Sequence, residues 1–303
     1  MERVFVVGAG VVGKATGHGF AERGHKVTLV DVLPERVAAL RAEGLDARIG
    51  LDLRGEPESF VFLTLPTPHR GRRYDLSAFE RGVRDVGAAL AGTDAVHTVV
   101  VRSTVPPRTT EELVRPLLEQ TSGKVEGTGF CLASNPEFLR AASAVEDFRW
   151  PWMTVVGARS KRVRERLADL LAPFGGELRV FDQPTTAEMI KCAHNIFNAA
   201  KISFWNEMWR VCQAIGVDHD EVATTVARSA EASYNQEYGI RGGAPYGGVC
   251  LPKDTNGFLG FAAQHEIDMP LLTAVVDVNE QMADLVEREL ATLQAESDSS
   301  VAR

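Results

Sequence analysis

Five stretches in the first half are apolar on consecutive positions: "VFVVGAG" from Val4, "HKVTLVD" from His25, "SFVFLTLP" from Ser59, "HTVVVRST" from His97 and "GFCLASNP" from Gly129. Runs of this length, rich in β-branched residues, read as strands buried on both faces, and the amphipathic segments between them read as helices. The alternation predicts an α/β fold with a parallel sheet covered on both sides. Two later runs, "MTVVGA" and "ELRVFD", flank the helical "SKRVRERLADLLAPF". They extend the same sheet or form a small appendage to it.

From Thr185 the period changes from strand-like to helical. Thr185 and Glu188, three residues apart, match a capping box, and "AEMIKCAHNIFNAAKISFWNEMWRVCQAIG" keeps helical spacing to Gly216. A second helix is expected from about Asp218, a glycine-rich loop over "YGIRGGAPYGGVCLPKD", and a last long helix opened by Pro270. The polar "AESDSSVAR" is expected to fray. The pattern thus divides the chain into a sheet domain over 1–183, a long-helix domain over 184–294 and a flexible tail over 295–303. The long helix carries apolar residues on more than one face, which suits either a dimer spine or ordinary packing between domains.

A length of 303 residues agrees with two domains, and shares of 45% hydrophobic and 24% charged residues are those of a globular protein. The net charge of -8 argues against nucleic acid or an anionic membrane as the main partner. Cys131, Cys192, Cys212 and Cys250 are scattered, without metal-ligand pairs or a disulfide framework, which fits a reducing cytoplasm and no metal site. The glycine-broken N-terminal run does not resemble a signal peptide, and no segment is apolar enough over its length to span a bilayer.

The glycines of "VFVVGAGVVGKATG" stand at Gly8, Gly10 and Gly13, directly after a strand and at the opening of a helix. In a β-α-β unit, Gly8 permits the tight turn, Gly10 the close approach of a pyrophosphate, and Gly13 the packing of helix on strand. Backbone N–H groups of the helix start, with Val12 in that turn, face the phosphates. Asp31 ends the second strand, where a carboxylate accepts bonds from an adenosine ribose and repels a 2′-phosphate, so NAD is expected over NADP. Arg36 is near enough to meet either ribose or phosphate and keeps NADP open.

Lys191 and Asn195, four residues apart on the long helix, reach the same place, where an ammonium and an amide can hold an alcohol oxygen and its developing charge. They can equally be a solvated lysine beside a polar neighbour. Thr104 of "RSTVPP" and Glu137 of "SNPEFLR" follow strands, on the side of the sheet where ligands bind, though a turn hydroxyl and a helix-start carboxylate would look the same. In "GGVCLPKD", Cys250 follows two glycines and precedes Lys253 and Asp254. A packed cysteine and a nucleophile are both compatible with that stretch.

Taken together, "GAGVVG", "LPTP", "STVPP", "NPEFLR", "AEMIKCAHNIFNAAKISFWNE" and "GGVCLPKD" resemble, in order and spacing, the UDP-glucose/GDP-mannose dehydrogenase family over almost the whole chain. The resemblance implies a Rossmann domain followed by a long-helix central domain, and four-electron oxidation of a primary alcohol of a nucleotide sugar to a carboxylate with two NAD+ in succession. It implies that Lys191 and a water held by Asp254 manage the alcohol proton and that Cys250 forms a thiohemiacetal and then a thioester. Glu137 would activate the hydrolytic water, helped by Thr104, and Asn195 would steady the tetrahedral oxygen. Thr67 and Lys253 join the cofactor contacts by the same analogy, as Phe138, Leu139, Tyr246 and Gly247 join the substrate pocket and Arg241 a phosphate.

Three departures bear on the substrate. Family members usually continue into a third domain that grips the nucleotide; the acidic residue common in the family is replaced by Ala141; and an arginine that crosses the family's dimer interface is replaced near Tyr234. The expected substrate is therefore a sugar, nucleotide sugar or sugar-like metabolite, handled by a homodimer joined through the long helix. A β-hydroxyacid dehydrogenase, which needs no thiol, and a non-catalytic NAD-binding subunit are the alternative readings.

Overall fold

The computed structural model describes residues 1–70, 73–229, 243–247 and 250–301, except for the side chains at 141, 250, 253, 254, 289, 293 and 295–301. Two compact units are distinguished, Met1–Asn195 and Ile196–Arg303.

The first unit opens with β1 (Arg3–Val7), α1 (Val11–Glu22), β2 (Lys26–Asp31), α2 (Pro34–Ala42), β3 (Ala47–Ile49) and β4 (Phe60–Leu63). A short hairpin of β5 (His69–Arg70) and β6 (Arg73–Tyr74) precedes α3 (Ser77–Ala91), β7 (His97–Val101), α4 (Arg115–Ser122) and β8 (Phe130–Ser134). Then come α5 (Ala144–Arg149), β9 (Met153–Gly157), α6 (Lys161–Leu171) and β10 (Glu177–Phe181). The strands form one sheet in the order β10-β9-β8-β7-β4-β1-β2-β3, apart from the hairpin.

All five sequence-predicted strands are present, and the two later runs join the same sheet as β9 and β10. The sheet is parallel from β3 to β8, but β9 runs against β8, paired through Ser134 and Gly157. Alternate residues of each strand point to opposite faces. Val4, Val6 and Phe62 pack with Phe20, Leu167 and Phe174 on one side, and Phe5, Val7, Val61 and Leu63 with Phe79, Val83 and Leu118 on the other. Apolar side chains on both faces explain the unbroken hydrophobic runs. The strand order reverses between β1 and β4, where a crevice opens beyond the carboxyl ends of the strands.

Helix α7 (Pro184–Ile215) begins where the change of period was placed, and the two compact units meet inside it, at Asn195 and Ile196. The second unit continues with α8 (His219–Val226), α9 (Cys250–Gln264) and α10 (Pro270–Val301). Asp218 caps α8, its carboxylate accepting from the backbone N–H of Asp220 at 2.8 Å. Val211, Ala262 and Met269 are the buried centre of this unit, and the carboxylate of Glu207 accepts from Leu271 N at 2.6 Å and Leu272 N at 3.2 Å at the start of α10.

Three local expectations fail. Thr185 and Glu188 do not form a capping box: Thr185 donates to Glu111, and Glu188 turns to a loop described below. The glycine-rich loop was expected to run through Asp254, yet Cys250, the first described residue after the break at 248–249, is already in α9. The "AESDSSVAR" segment, expected to fray, continues α10 as far as Val301.

Candidate functional site

The crevice between β1 and β4 is a cavity of about 620 Å³, with Gly8, Gly10, Val12, Asp31, Arg36 and Thr64 in its wall. Gly8 has φ +96, a left-handed conformation that favours glycine, and a Cβ there would lie 2.6 Å from the Thr64 carbonyl oxygen. At Gly13 a Cβ would lie 1.9 Å from the Gly8 oxygen. Among the described residues nothing lies within 4 Å of a Cβ built on Gly10, so that side of the turn has room for a ligand. The first turn of α1 carries no acidic residue and no side-chain cap, which leaves its backbone N–H groups available to an anion. These features fit the pyrophosphate of a dinucleotide.

Asp31 is 6% exposed and lies in the wall of the same crevice. One carboxylate oxygen accepts from Ala9 N at 2.8 Å and from the Arg36 guanidinium at 3.0 Å, the other from Leu33 N at 3.0 Å. Burial alone would raise its pKa, but the bonds from Leu33, Ala9 and Arg36 outweigh burial and hold it below the ordinary aspartate value. An ionised carboxylate here accepts ribose hydroxyls. Arg36, read from sequence as a contact to ribose or phosphate, is the partner of Asp31.

A second cluster lies on the same unit. Lys191 Nζ is 3.1 Å from Glu137 Oε1, with side-chain exposures of 6% and 13%. The other Glu137 oxygen accepts from Leu139 N at 2.6 Å, so the loop after β8 fixes the carboxylate. Lys191 also lies 5.2 Å from the centroid of Phe138. Two residues separated by over fifty positions thus form one ion pair, sheltered enough for its charges to act strongly on a bound group. Asn195, one helical turn beyond Lys191, is exposed.

Thr67 donates to the Thr104 carbonyl at 2.6 Å, which joins the loops after β4 and β7. Cys192 Sγ donates to Val105 O at 3.4 Å, and Glu188 accepts from Arg108 N at 2.6 Å, Thr110 N at 2.8 Å and Thr110 Oγ1 at 2.6 Å. These bonds flank Lys191 on α7 and tie the helix to the loop that carries Thr104. Burial pushes the Glu188 carboxyl above its ordinary value despite the bonds it accepts.

In the second unit the Tyr246 backbone N–H donates to Asn279 Oδ1 at 2.7 Å, and Gly247 is exposed. Arg241 and Tyr234 lie outside the described residues, as do the side chains of Ala141, Cys250, Lys253 and Asp254. The backbone places Cys250 and Asp254 one turn apart at the start of α9.

Three residues of these clusters were not given these roles from sequence. Thr64 ends an apolar strand and donates to Val7 O at 3.1 Å and Gly8 O at 2.5 Å, pinning the glycine turn. Its signal was a lone hydroxyl after "FVFL". Arg102 follows "TVVV"; its Nη1 donates to Asn135 Oδ1 at 2.5 Å, while Nε is buried without a partner among the described residues. Burial lowers its pKa to about 10, opposed by Glu137. Glu188 was noticed but assigned to a local cap.

The UDP-glucose/GDP-mannose dehydrogenase family matches twice: its NAD binding domain over residues 2–49 and 51–175, and its central domain over residues 185–281. A UDP-glucose 6-dehydrogenase of Haloferax volcanii is 36% identical, over 93% of this chain and 71% of its own length. A GDP-mannose 6-dehydrogenase of Pseudomonas aeruginosa is 31% identical, over 91% and 68%. Among solved structures, a ternary complex of GDP-mannose dehydrogenase from Pseudomonas aeruginosa superposes with a TM-score of 0.85 at 30% identity, covering 93% of this chain and 69% of that one. A UDP-glucose dehydrogenase from Pyrobaculum islandicum gives 0.71 at 34% identity, covering 96% and 72%. With its nucleotide crevice and both family domains matched in order, the chain belongs to the UDP-glucose/GDP-mannose dehydrogenase family and is an NAD-dependent oxidoreductase.

Proposed function

We propose that the chain oxidises the primary alcohol of a hexose carried on a nucleoside diphosphate to a carboxylate, through a thioester on Cys250. The observation that carries this reading is the sheltered pair of Lys191 and Glu137 at 3.1 Å, an ammonium and a carboxylate able to serve successive proton transfers. Relatives named for UDP-glucose and for GDP-mannose support the substrate class.

A water held by Asp254 takes the alcohol proton, while the Lys191 ammonium holds the oxygen as charge develops. NAD+ held at the glycine turn and Asp31 would supply the hydride acceptor for both oxidations. Cys250 then adds through sulfur to the aldehyde carbon, and the carbonyl oxygen takes up a proton from the relay, which completes the thiohemiacetal. Removal of that hydroxyl proton by the water held by Asp254, with Lys191 again holding the oxygen, accompanies the second oxidation and leaves a thioester. Glu137 takes a proton from the water that attacks the thioester carbon, Thr104 holds that water, Asn195 steadies the tetrahedral oxygen, and the carbon–sulfur bond breaks to return the thiolate. The sum is one alcohol, two NAD+ and one water giving one carboxylate, two NADH and three protons.

Gly8, Gly10, Val12, Gly13, Asp31, Arg36, Thr67, Thr104 and Lys253 hold the cofactor in this reading, and Phe138, Leu139, Tyr246, Gly247 and Arg241 contact the substrate. A homodimer through α7 is part of it, supported by Ile196, Phe197, Ile202 and Trp209, which are all more than half exposed along that helix.

NADH counted against UDP-glucose and GDP-mannose consumed tests the reaction. Two equivalents are expected, with carboxylate formation abolished in Cys250→Ser. One equivalent, untouched by that substitution, would make the chain a two-electron dehydrogenase. Tight NAD binding without turnover of either sugar nucleotide would make it a binding subunit.

A further inference from the structure

Beside the Lys191 and Glu137 pair the first unit builds an aromatic group of which the reading above uses only Phe138. Phe138 is flanked edge-on by Trp152, with ring centroids 5.5 Å apart at 69°, and by His194, 5.2 Å apart at 85°. Trp152 and His194 lie 5.5 Å apart with only 32° between their planes, so the indole leans on the imidazole. Lys191 is 5.2 Å from the Phe138 ring, which makes the aromatic group continuous with the ion pair.

The group is braced on one side and open on the other. His194 is one turn beyond Lys191 on α7, and burial together with Lys191 lowers its pKa, so it is a neutral ring at neutral pH. Trp152, at the entry to β9, remains 57% exposed. An indole fixed by two other rings and left exposed presents a rigid apolar face to a ligand. What covers it must also suit an ammonium and a carboxylate alongside. A pyranose ring has that composition: one face of C–H groups for the indole and a rim of hydroxyls for Lys191 and Glu137.

We propose that Trp152, braced by Phe138 and His194, is a specificity-determining platform on which the hexose ring of the substrate stacks. This rests on the reading above, in which Lys191 and Glu137 act on that hexose. The nucleoside lies away from the platform, since a base stacked on Trp152 would place a flat aromatic ring, not hydroxyls, beside the ion pair. The platform chooses among hexoses by which C–H groups share one face, while the chemistry at Cys250 is common to all.

Tryptophan fluorescence of the full chain, titrated with UDP-glucose and GDP-mannose and with UDP and GDP, tests the placement. At least one sugar nucleotide should quench or shift the emission, and the free nucleoside diphosphates should not. The change should vanish in Trp152→Phe and persist in Trp150→Phe, a neighbour that is 68% exposed and outside the cluster. With whichever sugar nucleotide is turned over, Trp152→Ala should raise KM about tenfold with kcat within about twofold, the loss of one stacked ring, and Trp152→Phe should recover most of it.

Equal quenching by UDP or GDP would overturn the hexose assignment in favour of a base. A response that survives Trp152→Phe would overturn the platform itself. So would an unchanged KM accompanied by a smaller mass in solution, because Trp152 would then cover a second copy of the chain. Quenching without any NADH formation would leave the platform standing and remove the proposed reaction.

Discussion

Glu188→Ala is the substitution whose cost follows most directly from the geometry. The parent side chain is 2% exposed, and its two oxygens accept from Arg108 N, Thr110 N and Thr110 Oγ1 at 2.6 to 2.8 Å. Alanine leaves the Thr110 N–H buried without an acceptor, at about 1–3 kcal/mol, and costs about 1 kcal/mol more where the outer Arg108 N–H must turn to water. The hydroxyl of Thr110 can rotate to another partner. A loss of about 3 kcal/mol is expected, which for a unit of this size lowers Tm by about 6–12 °C. Glu188→Gln keeps one acceptor oxygen and should lose about half as much. The pH dependence gives an independent check. Burial raises the folded-state pKa of Glu188 above its unfolded value, so its contribution is complete below that value and declines as pH rises through the folded one. Urea unfolding of parent and Glu188→Ala at about pH 5 and about pH 7.5 should therefore show the larger gap at the lower pH. A gap under about 1 kcal/mol at both would refute the claim that this carboxylate fastens α7 to the loop.

Two further outcomes separate folding from cofactor binding and from pH response. Gly13→Ala sets a Cβ 1.9 Å from a backbone oxygen that cannot yield, so both Tm and NAD+ affinity should fall, whereas Gly10→Ala meets nothing within 4 Å and should weaken NAD+ in calorimetric titration with Tm unchanged; equal Tm for the two variants would contradict this. His97 is fully buried with Ser59 Oγ at 2.6 Å from Nδ1, and burial aided by Lys124 lowers its pKa to about 4. The unfolded chain takes up that proton first, so stability should fall by about 3 kcal/mol as pH drops from the ordinary histidine value toward 4, and a His97→Asn protein that keeps the parent's slope in that window would exclude His97 as its source.

How much of this was legible depends on whether a signal is local. "FVFL" and "HTVVV" announce their strands because both faces of the sheet are covered, and no neighbour is needed to know that. The missed elements lack that constraint: β3 has only three residues with two of them exposed, and the β5–β6 hairpin is made of exposed His69, Arg70, Arg73 and Tyr74. The reversal of β9 was hidden as well, since the composition of a buried strand is indifferent to its direction. Lys191 and Asn195 fall on one helical face by counting alone. The pairing of Lys191 with Glu137 cannot be counted, because a crossover through β9, α6 and β10 separates them.

The misread capping box shows why a locally sufficient explanation can displace a distant one. Thr185 and Glu188 have the spacing of a cap, and a helix does begin beside them. But a carboxylate that closes its own helix could have stayed at the surface, whereas Glu188 is buried and bonded to residues 108 and 110. What distinguishes the cases is an acid followed at once by Met189 and Ile190, then by Lys191, on a helix that must dock on a sheet. Buried acids of this kind need donors, and a loop leaving a parallel strand has backbone N–H groups to spare. The same reasoning applies to Arg102, whose charge at the end of an apolar strand is set against Glu137 across the loop after β8. In both cases the ionisable residue stands at the carboxyl edge of the sheet, where the chain must change direction and the backbone is no longer paired with a neighbouring strand. Charges placed there hold loops in register for one another, so the geometry of the Lys191 and Glu137 pair is a property of the sheet edge as much as of the two side chains.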